Sequence, residues 1–348
     1  MVRDLRDVLG VDEPIVLGPF GGLSSIQLTA AVSELGGLGS YGLYGYSAQR
    51  IHETIAQLRA ATARPFAVNL WLPTGDEVTP GQVDLATSVA AFAPLFAAAG
   101  VEPPSAPTAY LPPIAEQLEA VLEAAPAVLS VVFGVPDEQL VEAARERGIR
   151  IVGTATSVAE ARALDAAGVD AIVATGAEAA GHRVSFLRRA EDSLVGTFAL
   201  VPQVVDAVSV PVIAAGGIAD RRGVAAAFAL GASGVQVGTA FLRTRQSAAT
   251  EAHRAAIAAA ADTDTVLTRA MSGRLARGIP NRAMRTIETS GIIAPFPAQN
   301  WLTGVFRAAA SRAGDGDLVS LWAGQAAGLA VQDDAADVFA ELRAGLTA

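Results

Sequence analysis

The chain has no cysteine. Disulfides, thiol nucleophiles, cysteine-ligated iron–sulfur clusters and zinc–thiolate sites are therefore excluded. Lysine is missing too, since every one of the 25 basic residues is arginine. That removes Schiff-base chemistry and the P-loop, both of which need a lysine amine. Histidine is nearly as scarce, with His52, His182 and His253 the full complement of 3. Aromatic residues make up only 5%. Apolar residues reach 51%, yet no apolar run attains the ~20 residues of a membrane span. The formal charge of −10 gives no footprint for nucleic acid or anionic membranes. No basic region followed by an apolar stretch opens the chain, so a soluble cytoplasmic protein is expected.

What is present is rhythm. Short apolar runs near 14–18, 37–42, 65–71, 128–133, 149–154, 170–174, 211–215 and 234–238 alternate with amphipathic stretches. These include Ser25–Leu35, Ala48–Ala61, Asp137–Arg147, Ser157–Ala167, Leu200–Val208 and Gly223–Leu230. Gly148, Gly168 and Gly231 stand just past periodic runs, where helix-terminating glycines belong. The alternation predicts βαβ units, and eight strands with their connections fit a TIM (β/α)8 barrel better than an open α/β sheet. Two segments break the pattern. Residues 74–113, rich in Pro and Ala, read as an excursion after the third strand. Residues 246–316 carry the helical run Ala248–Ala261 and an arginine-rich stretch without a clear strand pattern. We expect a barrel over 1–245 and 317–348, with 246–316 as a small, mostly helical second domain inserted near the C-terminus.

On a barrel, the loops after the strands share one rim, where the chemistry of such folds resides. His182 lies in the loop Thr175–Arg183 after the sixth run. Its imidazole can accept a proton near neutrality, and its small neighbours leave room for a ligand; a satisfied loop histidine is the plainer alternative. Ala215, Gly216 and Gly217, then Gly238 and Thr239, follow the last two runs. Paired glycine turns at those positions form a phosphate cradle in many barrels. Asn69 ends the third run and suits a ring with amide and carbonyl edges, or caps its own loop. Gly18-Pro19-Phe20-Gly21 ends the first run. Tyr41, Tyr44, Tyr46 and Trp71 cluster after the second and third runs, as pocket wall or as core. Arg274, Arg277, Arg282 and Arg285 read as a solvated face, an interdomain contact or a second anion site, the first being the commonest, and His52 and His253 read as helix-surface residues.

The segment Gly37-Leu38-Gly39-Ser40-Tyr41-Gly42 spells G-x-G-x-x-G, the dinucleotide fingerprint, but in the wrong setting. That motif needs a strand before it, a helix after it and an acidic residue about 20 positions on. Here a helix precedes it and 57–67 contains no Asp or Glu. It reads as a helix end running into a small-residue strand. No G-x-S-x-G elbow, H-E-x-x-H or carboxylate–histidine cluster occurs, so no metal is expected.

Together these motifs resemble the nitronate monooxygenases, FMN-dependent β/α barrels also called 2-nitropropane dioxygenases. The likeness runs through Pro14–Phe20, Ala31–Ser40, Pro65–Leu70, Val132–Pro136, Gly176–Arg183, Ala214–Gly223, Gly231–Leu242, Ser272–Gly278 and Trp322–Gln325. It implies FMN as cofactor, a nitronate or nitroalkane and O2 as substrates, and His182 as the catalytic histidine. It implies further that Pro19, Phe20, Gly21, Asn69, Ala180 and Gly181 lie beside the flavin ring. Ala215, Gly216, Gly217, Gly238 and Thr239 would hold its phosphate. Thr154 stands where some relatives carry lysine near the flavin, and Thr175 where Gln or Asp is common, so flavin tuning and substrate choice are where this chain would differ. Neither nucleic acid nor membrane is an expected partner, and a homodimer is compatible with the pattern. Two rivals remain open: an NAD(P)H-dependent FMN reductase of quinones or enoyl thioesters on the same barrel, and a non-catalytic flavin- or phosphate-binding component.

Overall fold

The computed structural model describes residues 4–346. Eight parallel strands form its centre: β1 (Ile15–Leu17), β2 (Gly39–Gly42), β3 (Phe66–Trp71), β4 (Val128–Val132), β5 (Arg150–Ala155), β6 (Ala171–Thr175), β8 (Val212–Ala215) and β9 (Gly234–Val237). They pair in the order β1-β9-β8-β6-β5-β4-β3-β2. A parallel bridge between Val16 and Leu38 brings the two ends together. This is the TIM barrel expected from the alternation. Each strand falls within or one residue beyond its expected run, because a strand buried on both faces reads as a continuous apolar stretch.

Side chains alternate faces along a strand, so every second residue points into the barrel. The inward series is apolar low in the barrel: Val16, Leu38, Ala67, Val128, Val152, Val173 and Ile213 form one buried cluster with Leu5, Val8 and Leu9 of the first helix. Two residues further along, the same face turns polar at Asn69, Ser130, Thr154 and Thr175, all buried. The barrel thus has a greasy floor and a hydrogen-bonding rim. Helices such as Ile26–Glu34, Ala48–Ala61 and Val158–Ala166 cover the outside. Gly148, Gly168 and Gly231 follow their helices with φ of 71°, 82° and 92°. The G-x-G-x-x-G segment is a packing device, since a Cβ on Gly39 would lie 2.0 Å from the Thr29 carbonyl oxygen.

The region above the rim corrects the expectation that 246–316 lacks strands. β10 (Val266–Thr268) and β11 (Ala276–Gly278) pair antiparallel. β11 also pairs with β7 (Gly181–His182), setting Ala276 opposite His182. Three-residue strands are too short to show as periodicity. A second core joins Phe92, Leu95 and Phe96 to Met271, Met284, Ile287, Leu302, Phe306 and Leu321. The excursion after β3 therefore supplies helix Ala86–Ala98 to the same cap as residues 270–321. Among the described residues, no helix is long and apolar enough to cross a membrane.

Candidate active site

Above the polar rim lies a cavity of about 400 Å³, within the range of roughly 300–1,000 Å³ usual for small-molecule sites. The candidate catalytic and cofactor-binding positions all line it. Pro19, Phe20 and Gly21 come from the loop after β1, Asn69 from β3, Thr154 from β5 and Thr175 from β6. Gly181 and His182 enter from β7 and Ala180 from just before it, Ala215, Gly216 and Gly217 from the end of β8, and Gly238 and Thr239 from the end of β9.

The turn after β8 depends on glycine. Gly216 and Gly217 have φ of 97° and 75°, and a Cβ on Gly216 would stand 3.0 Å from Thr197 Oγ1. Thr197 Oγ1 donates to the Gly216 carbonyl at 2.8 Å, while Glu178 accepts from the Thr197 amide at 3.0 Å. The turn is thus clamped by the start of helix Thr197–Val205, which Glu178 of the loop after β6 holds in place. Among the described residues, the amides of Gly217 and Thr239 donate to no protein acceptor. Unpaired amides beside glycine turns fit an anionic oxygen group such as a phosphate. Opposite, Ser24 Oγ ties down the β1 loop, donating to the Phe20 carbonyl at 2.9 Å and accepting from the Gly42 amide at 3.0 Å. Asn69 is no self-cap: its Nδ2 donates to the Ser130 carbonyl and hydroxyl at 3.2 and 3.1 Å, which fixes the amide's orientation.

His182 is held from both sides. Strand pairing with β11 sets its backbone, and Trp71 meets its ring edge-on at 4.8 Å between centroids. Its Nε2 lies 2.8 Å from Ser272 Oγ. That hydroxyl also donates to the Arg274 carbonyl at 3.1 Å and receives the Arg274 amide at 3.2 Å. A hydroxyl has one proton; directed at the carbonyl, it leaves Oγ to accept from His182 Nε2–H and frees Nδ1 as an acceptor. Burial, reinforced by the positive charges of Arg274 and Arg307, pushes the imidazole down to about 3. His182 is consequently neutral at neutral pH.

A family model described as nitronate monooxygenase matches residues 3–344. A probable nitronate monooxygenase of Staphylococcus aureus (strain JH9) is 40% identical over 97% of this chain and 95% of its own length. The chain belongs to the nitronate monooxygenase family. It is an oxidoreductase. A nitroalkane oxidase from Streptomyces ansochromogenes superposes with a TM-score of 0.86 at 36% identity, covering 99% of this chain and 98% of that one. FabK from Thermotoga maritima follows at a TM-score of 0.77 and 30% identity, covering 100% and 97%.

Several expectations for side chains need revision. Arg274 and Arg277 are buried, whereas Arg282 and Arg285 are exposed, so only the latter two form a solvated face. Arg274 bonds to Thr74, Asp76 and Glu77 and stacks on Phe133 and Phe296. His253 is a core residue, not a surface one, because its helix packs under the loop of Trp322, whose carbonyl lies 3.0 Å from Nε2. His52 is half-exposed beside Glu123, as expected of a helix surface. The aromatic set divides: Tyr41 and Tyr46 are core, while Tyr44 and Trp71 line the cavity. The residues missed altogether are Asn300 and Arg307, which enter the cavity from helix Ala298–Ala313. Their three- and four-residue spacing with Thr303 was a faint helical-face signal, but nothing local tied that face to the barrel rim.

Proposed function

We propose that this protein binds FMN in the rim cavity and oxidises alkyl nitronates with O2, yielding a carbonyl compound and nitrite. The observation that carries the reading is the convergence of the glycine turns at 216–217 and 238–239 with His182 on one cavity. Gly216, Gly217, Gly238 and Thr239 would hold the phosphate, with the free amides of Gly217 and Thr239 as donors. Pro19, Phe20, Gly21, Asn69, Thr154, Thr175, Ala180 and Gly181 would surround the ring, where Thr154 and Thr175 offer hydroxyls rather than charge. FMN when bound supplies the electron chemistry.

The chain's own residues do the rest. Trp71 and Trp322, 4.8 and 5.5 Å from the His182 ring, wall the substrate space beside the imidazole and keep water from it. His182 Nδ1, freed by the Ser272 contact, accepts the α-proton where a neutral nitroalkane is the substrate. A base held at about 3 is weak, so this route depends on stabilising the negative charge as it forms on the nitro oxygens. A substrate already ionised avoids that step, and the site favours the nitronate. Purified protein given ethyl nitronate in air should consume O2 and release nitrite; absence of nitrite would refute the reading.

The likeness to FabK supports one alternative, an NAD(P)H-dependent FMN reductase of quinones or enoyl thioesters. Anaerobic mixing with NADH separates the two, since rapid bleaching of the flavin belongs only to the reductase.

A further inference from the structure

Helix Ala298–Ala313 brings Asn300 and Arg307 into the cavity wall, with Thr303 buried behind them. Four of the five N–H groups of the Arg307 guanidinium meet protein acceptors, all of them neutral, and one Nη1 hydrogen has no partner among the described residues. Nη2 donates to the Asn300 carbonyl and Oδ1 at 2.9 and 2.7 Å, Nε to Thr303 Oγ1 at 3.2 Å, and Nη1 to Ser320 Oγ at 3.2 Å. Among the described residues, no carboxylate lies within the 4.0 Å of an ion pair. Arg274, the other cation acting on His182, differs in this respect, with Asp76 and Glu77 each at 2.7 Å. A desolvated cation without a counter-charge is costly, and its burial lowers Arg307 to about 10. The group lines the cavity beside His182 and Tyr44, whose hydroxyl meets Asn300 Nδ2 at 3.1 Å. Its charge is therefore presented to whatever occupies that space.

We propose that Arg307 is the anion-recognising residue of the cavity, supplying the counter-charge to the planar, two-oxygen nitronate group and setting a preference for anionic over neutral substrates. The inference deepens the nitronate reading and rests on it for the identity of the anion. The guanidinium is held in place by its own helix and by Ser320, so it offers a fixed positive charge and one remaining Nη1–H to an oxygen of the anion. It also takes over a task for which His182, neutral at neutral pH, is unsuited. Arg307 is fixed charge and His182 is proton acceptor.

The test uses the flavin-loaded protein with Arg307→Gln and Arg307→Lys. Loss of a charge-assisted contact should raise KM for ethyl nitronate ~10- to 100-fold in Arg307→Gln, with KM for neutral nitroethane moving less than about threefold. Arg307→Lys should recover part of the loss. Calorimetric titration with sodium nitrite gives a readout independent of turnover: wild type binds it and Arg307→Gln does not. An unchanged nitronate KM, or equal losses on both substrates, overturns the proposal. Arg307-dependent nitrite binding in a protein that oxidises no nitronate would sink the functional reading and leave the anion site standing. Should Arg307→Gln not fold, Arg307→Lys decides. Nitrite inhibition competitive with nitronate and weakened several-fold supports the assignment, and unchanged inhibition contradicts it.

Discussion

The barrel rim and the cap above it both hold groups at one cavity, by opposite means. The rim does it with backbone. Gly216 and Gly217 adopt left-handed conformations, and Gly217 and Thr239, which line the space, have amides with no acceptor among the described residues. The cap does it with side chains reaching across long stretches of sequence, as Arg274 grips Thr74, Asp76 and Glu77 and Asn300 steadies Arg307. A backbone cradle suits a group that is the same in every turnover. Side-chain contacts are easily exchanged, and suit the substrate. Cofactor retention should therefore follow the rim, while substrate preference and pH response follow the cap.

The largest expected effect comes from the rim. Gly216→Ala forces a non-glycine residue to φ near 97° with its Cβ 3.0 Å from Thr197 Oγ1. At ~1–3 kcal/mol of strain, flavin affinity should fall ~10- to 100-fold, measured by flavin released on dilution while circular dichroism stays native. Next is His182, where rim and cap meet. His182→Asn removes the proton acceptor and should cut neutral nitroalkane turnover ~10²- to 10⁴-fold. Nitronate turnover should lose less than about tenfold, and equal losses on both would remove the base role.

Arg274→Met is a cap lesion. Its carboxylate partners are partly solvated, with Asp76 73% and Glu77 23% exposed, which discounts the ion pairs. Unfolding stability should drop ~1–3 kcal/mol, mostly from the lost stacking, with flavin content intact. Loss of the flavin instead would break the rim–cap contrast. The same cluster responds to acid. Burial alone would raise the Asp76 and Glu77 carboxyls, but hydrogen bonds from Thr74 and Arg274 hold them below their ordinary range. Groups depressed in the fold contribute stability above their unfolded values near 4, and lose it as pH falls through the folded ones. Wild type should therefore lose cap stability below about pH 4, and Arg274→Met should show a shallower loss. The smallest effect belongs to His52→Gln, far from both regions. With His52 43% and Glu123 61% exposed, the change in stability should stay within about 0.5 kcal/mol.

The same contrast explains what could be read from residues alone. Doubly buried strands leave apolar runs, and glycine turns leave pairs such as Gly216-Gly217, so the barrel and its rim were legible. The burial of Arg274 and Arg277 was not, because their partners, Thr74, Asp76 and Glu77 for one and Ala177 and Thr265 for the other, lie far away or outside any local pattern in the sequence. His253 carries an amphipathic helical pattern whichever partner covers it. Arg307 illustrates the limit best: its partners Asn300 and Thr303 are ordinary helix neighbours, and only the packing of that helix over the rim turns Asn300 and Arg307 into a cavity wall.

The most direct test of the central claim is the visible absorption spectrum of the purified protein, followed anaerobically as ethyl nitronate and then, in a separate sample, NADH is added. We predict a flavin spectrum that bleaches with the nitronate and stays unchanged with NADH. A colourless protein, or a flavin bleached by NADH and indifferent to nitronate, would contradict the account.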